Sequence, residues 1–440
     1  MSTHTESVRR SHHSLTFAVL AVGVLSYALM QSLVTPVLAE LEHKLDTDQT
    51  TVTWVLTAYL LSASVFTPIV GRIGDKVGKE RMMVLSLACL SVGSIIAALA
   101  PNVGVMIVAR VIQGIGGGVM PLAFGIVRDE MPHHKVSGAV GIIASLGAVG
   151  GGVGIVVAGP IDDLLGFSWL FWMPAIVTGA AALAAQILIP PSPVRTEGKI
   201  SVLPAVLLSA WLVCLLLAVS EGRTWGWTSG AVTGLIIGAI VLSVAWVMVE
   251  QRVASPLIDM EMMRLPAVWT TNLVALLIGF GMYASFAFLP QFTLTDPSAG
   301  YGFAASITES GLLLLPMPAT MFVVGVMSGT FVRIIGPKAV VVVGSLISAG
   351  GMGMLAAMHD EKWEVCVANA ITGIGIGLAF ACLSNLILAA VPPEQTGVAS
   401  GMNANIRTIG GSVGAAVMAS LVTSSVLPSG IPKEGGYTLG

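Results

Sequence analysis

Charged residues are scarce in this chain, and their positions limit the chemistry they can do. Only 10% of the residues are charged, yet the stretch Gly71-Arg-Ile-Gly-Asp-Lys-Val-Gly-Lys-Glu-Arg81 sets six charges between two apolar runs. In it Asp75 can pair with Arg72 or Arg81, or accept from the positive N-terminal end of a helix elsewhere in the chain. A contact of that kind exists in one conformation only and so biases a two-state equilibrium. Gly71, Arg72, Asp75, Gly78, Lys79 and Arg81 are therefore candidate gating residues. Their plainer role is a tight, positively charged turn that the glycines permit.

Arg110 and Arg407 lie inside apolar runs instead. Arg110 falls roughly 12 Å deep along its run, with Gln113 on the same helical face. A charge at such depth usually faces a pathway, although a long side chain can also reach back to a surface. Arg407 has Asn403 one turn before it and Asn405 nearby, and these polar groups can either line a pathway or bind helices together. Tyr27, Gln31 and Thr35 share one face at helical spacing, and Asn369, Thr372, Phe380 and Ser384 form a second stripe. Each stripe can line a substrate cavity or serve packing. No carboxylate stands near the middle of an apolar run. Glu309, Asp162 and Asp163 sit toward run ends, where a surface role is the default, and they remain the acids available for protonation.

Other chemistry is missing from the sequence. The seven histidines avoid the apolar runs, and the four cysteines, Cys89, Cys214, Cys366 and Cys382, show no CxxC spacing. No metal site follows, and the cysteines read as small buried hydrophobes. There is no Walker A sequence, HExxH, GxSxG or dinucleotide fingerprint, so no ATP-driven pumping, enzyme activity or cofactor is expected. A net charge of −3 gives no reason to expect a nucleic-acid partner.

These residues must be positioned by helices in a bilayer. The chain is 55% hydrophobic, with a mean hydropathy of +0.90. Thirteen apolar runs approach or exceed the roughly 20 residues a spanning helix needs. They are 15–38, 51–71, 82–100, 103–127, 137–161, 168–189, 200–220, 230–249, 267–290, 305–331, 338–358, 363–391 and 396–426. With the N-terminus inside, fourteen of the 20 Lys and Arg fall in inner segments and four in outer loops. This bias sets the orientation.

The chain also repeats itself. Gly71 and Gly78 recur as Gly329 and Gly336, Ile112-Gln-Gly-Ile-Gly-Gly-Gly resembles Ile371-Thr-Gly-Ile-Gly-Ile-Gly, and Gly150-Gly-Gly-Val-Gly resembles Gly410-Gly-Ser-Val-Gly. The offsets stay between 258 and 260 residues. Two copies of a helical unit follow, each starting on the same side, with two inserted helices between them. The expected organisation is a tail over 1–14, a six-helix bundle over 15–190, a linker with two extra spans over 191–266, and a second bundle over 267–440. That second bundle lacks its sixth helix, which the register places near 428–449, so a fourteenth helix is expected beyond the given sequence.

Gly71 to Arg81 resembles the signature loop between helices 2 and 3 of the major facilitator superfamily. Arg110 to Gly118 resembles the helix 4 motif of its proton-coupled members, and Gly154-Ile-Val-Val-Ala-Gly-Pro160 resembles the helix 5 antiporter motif. Glu221-Gly-Arg-Thr-Trp-Gly-Trp227 and the run from Gly397 to Val417 resemble the fourteen-helix drug:proton antiporters of the EmrB/QacA type. The resemblance implies an all-α fold of two six-helix bundles with two linker helices, working by alternating access. It also implies export of small apolar or amphiphilic compounds in exchange for protons, from a bacterial inner membrane. Arg110 and Gln113 then become proton-coupling candidates beside Glu309. Gly150, Gly151, Gly154, Gly159 and Pro160 mark the antiporter helix, while Tyr27, Gln31, Asn369, Thr372, Asn403 and Arg407 are candidates for the cavity. The chain departs from the family pattern in two places: Ile161, Asp162 and Asp163 follow Pro160, and helix 1 carries no acid. A monomer is expected. The alternatives are a facilitator or importer of the same fold, or a transporter-fold receptor or sensor.

Overall fold

A computed structural model describes residues 3–34, 36–192, 201–253, 256–423 and 432–439. Among them the chain is helical throughout, and no strand forms. The first half contains α1 (Thr3–Leu33), the short α2 (Leu38–Lys44), α3 (Gln49–Val77), α4 (Lys79–Ala98), α5 (Val103–Gly114), α6 (Val119–Glu130), α7 (His133–Leu165) and α8 (Trp169–Leu188). A hairpin of α9 (Val202–Trp225) and α10 (Gly230–Glu250) leads through α11 (Met260–Arg264) into the second half. That half contains α12 (Pro266–Leu294), α13 (Ile307–Leu314), α14 (Pro316–Ile335), α15 (Pro337–Ala357), α16 (Lys362–Ala390), α17 (Thr396–Thr423) and α18 (Glu434–Leu439).

Twelve helical segments among the described residues are long and apolar enough to cross a membrane. The thirteenth expected span is α17. It has the length of a span, and Asn403, Asn405, Arg407, Thr408 and Ser412 make its first part polar. Its place in the fold explains this, because α17 lines an internal cavity. Three further details differ from the sequence reading. Helix α1 begins at Thr3, so the expected N-terminal tail continues the helix. The charged stretch is also mostly helical rather than a loop: α3 runs to Val77 and α4 starts at Lys79, with Gly78 alone between them at φ 126°. Only glycine adopts that conformation without strain. Finally, two spans are broken. The glycine-rich Ile115–Gly118 tightens to a 3₁₀ turn between α5 and α6, and Pro316, which has no backbone N–H, separates α13 from α14. Residues 424–431, where a sixth helix of the second copy would begin, lie outside the described residues.

The sequence repeat reappears in how the halves meet. Helix α3 packs on α17, and α14, its counterpart in the second copy, packs on α7, the counterpart of α17. The same register places Gly71 against Gly397 and Gly329 against Gly138. A Cβ on Gly71 would lie 2.5 Å from the Gly397 carbonyl, and one on Gly329 would lie 3.5 Å from Gly138 Cα. Small residues at such crossings let helix backbones approach, which is how helices associate where lipid is as apolar as the side chains. The linker hairpin leans on the first of these joints, with Thr57 and Ser220 hydroxyls 3.2 Å apart between α3 and α9. Glu250 anchors its far end, accepting from the Leu257 and Ile258 backbone N–H groups and the Trp246 indole.

Candidate functional site

The contact that the charged stretch makes is resolved in favour of a helix end in the other half. Asp75 points its carboxylate at the start of α17, where it accepts from the Gly397 and Val398 N–H groups at 3.0 Å each. The first N–H groups of a helix have no partner within the helix and carry the positive end of its dipole, so a buried carboxylate is stabilised there. Neither arginine of the stretch forms a salt bridge with Asp75; Arg81 is largely exposed, 3.9 Å from Glu80. Lys79 is fully buried instead, with its ammonium 2.8 Å from Asp129 and 3.8 Å from Asp75. Asp129 went unnoticed in the sequence because it lies 50 residues from Lys79.

Two more bonds tie the halves on this face. Arg128, at the end of α6, donates to the Thr396 hydroxyl at 2.8 Å and to the Val391 carbonyl at 3.0 Å. Asn385 of α16 donates to the Ser137 carbonyl of α7 at 3.2 Å. Together with Asp75 they close the charged face across the joint. In the second copy Arg333 stands where Asp75 stands in the first, and it is exposed. The strong latch is therefore built at one joint only.

Above the latch a cavity of about 100 Å³ lies between the halves. Tyr27 and Gln31 of α1, Ser64 and Thr67 of α3, Tyr283 of α12, Phe380 of α16, and Asn405 and Arg407 of α17 all reach it. Arg407 sets its guanidinium 4.4 Å from the centre of the Phe380 ring. Asn403, Ser384 and Ser400 line a narrow extension toward the charged face, which Arg407 also borders. Of the cavity candidates, Tyr27, Gln31, Asn403 and Arg407 thus share one space. Asn403 is also tied across to Asn272 at 2.8 Å. Asn369 and Thr372 do not reach the cavity. Asn369 donates to the Leu313 carbonyl at 3.3 Å, and Thr372 packs at the glycine of α15, Gly351. Their stripe winds around α16, so only Phe380 and Ser384 face inward. Thr35 lies outside the described residues. Tyr283 was missed because α12 shows no polar stripe around it.

Arg110 neither snorkels nor opens into this cavity. It is fully buried within the first half, where Nε donates to the Val55 carbonyl at 3.0 Å, one terminal N–H group donates to Gln113 at 2.7 Å, and the Tyr59 ring lies 4.3 Å away. Gln113 passes the chain on to Ser94 at 2.9 Å, and Ser94 meets the Met30 sulfur at 3.2 Å. The other terminal nitrogen of Arg110 has no partner. The antiporter-motif glycines are divided between neighbours. Gly150 and Gly154 lie against α1, where the Ser32 hydroxyl donates to the Gly150 carbonyl at 3.2 Å, while Gly159 approaches Thr308 of the other half. Gly151 has open space around it, and Pro160 lies within α7 near its end.

The acids at the opposite face are surface groups. Glu309 forms an exposed pair with Lys362 at 2.6 Å. Asp162 hydrogen-bonds Glu40, which holds the Glu40 carboxyl below its usual range, and Lys44 lies 2.6 Å from Glu40. The cysteines are free, and no cluster of metal-ligating side chains occurs among the described residues.

Comparison with known proteins agrees with this architecture. The chain is 26% identical over 415 residues to the tetracenomycin C resistance and export protein of Streptomyces glaucescens, covering 93% of this chain and 76% of the relative. It is 28% identical over 385 residues to the multidrug transporter protein MdtP of Bacillus subtilis, covering 84% and 68%. Among solved structures, the human organic anion transporter MFSD10 superposes with a TM-score of 0.70 at 16% identity, over 97% of this chain and 96% of that one. The proton:xylose symporter XylE does so with a TM-score of 0.65 at 12% identity, over 98% and 92%. The family model for the Major Facilitator Superfamily matches residues 20–415, and the chain belongs to that superfamily as a multi-pass membrane transporter rather than an enzyme.

Proposed function

We propose that this transporter exports small apolar or amphiphilic compounds by alternating access, driven by inward proton movement. The observation that carries the reading is the pairing of a cavity between the halves with a latch on one face that breaks when the halves rock apart. Rocking about the glycine-lined α3–α17 and α7–α14 joints would open the cavity to each side in turn. The charged face is inner in this reading, which places the N-terminus in the cytoplasm of a bacterial cell. The names of the two curated relatives, an export protein and a multidrug transporter, support the direction and the substrate range.

In the proton-coupled reading, the Arg110–Gln113–Ser94 chain holds a fixed positive charge and sets the position of α5 against α3 and α4, and the proton is carried by a group other than these three. Among the described residues no carboxylate lines the central cavity, so coupling through a substrate-site acid has no candidate among them. Glu309, exposed and paired with Lys362, has the weakest geometry for the role.

The test uses everted membrane vesicles with a fluorescent neutral lipophile added outside, and a pH gradient imposed and then collapsed. Gradient-dependent movement into the lumen that falls in Arg110→Lys and Asp75→Asn supports proton-driven export. Movement that ignores the gradient in the wild type refutes proton coupling and favours a facilitator. Absence of movement in either condition refutes the substrate class.

A further inference from the structure

Among the described residues lining the central cavity and its extension, Arg407 alone carries a fixed charge. It belongs to a helix that crosses between the halves, and it stands where the two spaces join. Among the described residues no carboxylate pairs with it; the Phe380 ring lies 4.4 Å away, and the Tyr27 and Tyr283 side chains share its cavity. Arginine does not deprotonate in proteins, so the cavity carries a lasting positive charge. A ring face satisfies such a charge only in part, and the five N–H donors of the guanidinium remain suited to a planar anion.

A second observation points to a ligand at the same place. Asn405 is only 2% exposed and lines the cavity beside Arg407, yet both its amide nitrogen and its carbonyl oxygen lack hydrogen-bond partners. Ser400, 5% exposed in the extension that Arg407 borders, also has a hydroxyl with no partner. Buried polar groups are rarely left unsatisfied, and clusters of them mark places where something else completes the bonding. Tyr27, Tyr283 and Phe380 supply aromatic walls around these groups.

We infer that the central cavity selects amphiphilic anions: aromatic compounds bearing a carboxylate or similar acidic group that pairs with Arg407, while Asn405 hydrogen-bonds the adjoining polar atoms. This rests on the reading of the central cavity as the substrate site and narrows its substrate class. A cationic amphiphile of the same shape meets like charge with no counter-charge in the wall, and is excluded.

The test is equilibrium binding to the purified chain in lipid nanodiscs, read by fluorescence anisotropy. The probes are 9-anthracenecarboxylate, its methyl ester and 9-anthracenylmethylammonium. The carboxylate is expected to bind at least tenfold more tightly than the ester, and the ammonium more weakly than either. Arg407→Gln should remove the preference for the carboxylate while changing ester binding by less than about twofold, a fold-change equal to roughly 0.4 kcal/mol. Arg407→Lys should restore part of the preference and shows that the site still folds if the glutamine variant does not. Equal binding of the three probes in the wild type, or a carboxylate preference that survives Arg407→Gln, overturns the charge assignment and leaves the cavity as substrate site. Binding of none of the three sinks both the charge assignment and the cavity on which it rests.

Discussion

Replacing Asp75 by Asn should release the charged face. The aspartate accepts two backbone N–H groups at 3.0 Å at the start of α17. Hydrogen bonds to a charged group are each worth about 1.5–3 kcal/mol, and placement at a helix N-terminus adds about 0.3–1 kcal/mol. The asparagine amide can still accept one bond through its oxygen, but it turns its NH₂ toward the second N–H and loses the charge. Lys79 is not orphaned, because Asp129 holds it at 2.8 Å. The net loss in the latched state is therefore about 2–3 kcal/mol, with little compensating damage elsewhere. That moves the latched–unlatched equilibrium by about 30- to 150-fold. The assay is labelling of Ser400→Cys, a buried position one turn into α17, by an impermeant maleimide added from the charged face. The background carries serine at Cys89, Cys214, Cys366 and Cys382. In the fast-reclosing regime the labelling rate follows the open population and should rise by that factor in Asp75→Asn, with Asp75→Glu closer to wild type. A rise below about threefold, in protein with an unchanged melting temperature, would refute the reasoning.

Three other outcomes are expected. Gly397→Ala should open the same face, since its Cβ would stand 2.6 Å from the Gly71 carbonyl and 2.8 Å from Asp75 Oδ1; the same cysteine labelling should rise without any change of charge. Arg110→Ala should destabilise the first half by about 3 kcal/mol or more, because it leaves the buried Gln113 side chain short of a partner and removes the contact with the Tyr59 ring, whereas Arg110→Lys should fold and lose gradient dependence. Thermal unfolding in detergent and vesicle transport separate the two effects. Glu309→Gln should leave melting temperature, transport rate and pH profile unchanged, because its pair with Lys362 is open to solvent; a shifted pH profile would return Glu309 to the proton path.

Several features could be read from the sequence because they depend on composition and order alone. Apolar length and lysine–arginine bias reveal spanning helices, since the bilayer demands both regardless of how the helices pack. The constant offset of the glycine patterns announced two copies, while the pairing of each copy's second helix with the other's fifth came from the tertiary structure. Asp75 could be marked as a group seeking a partner, with Arg72, Arg81 and a distant helix end all open to it. The same logic failed where neighbours decide. Helical spacing gave Asn369, Thr372, Phe380 and Ser384 one stripe, but crossing angles sent the first two toward α13 and α15 and the last two toward the cavity. Depth along the chain gave Arg110 and Arg407 similar prospects, but packing buried Arg110 against Val55, Gln113 and Tyr59 within one half and set Arg407 at the space between both. Arg128 and Asn385 looked like ordinary residues at helix ends until the halves met. Local sequence determined which segments are helices and which residues carry charge. Only tertiary structure decided which charges face a partner, a cavity or solvent, because that depends on atoms more than a hundred residues away, brought within 3 Å by the closing of one half upon the other.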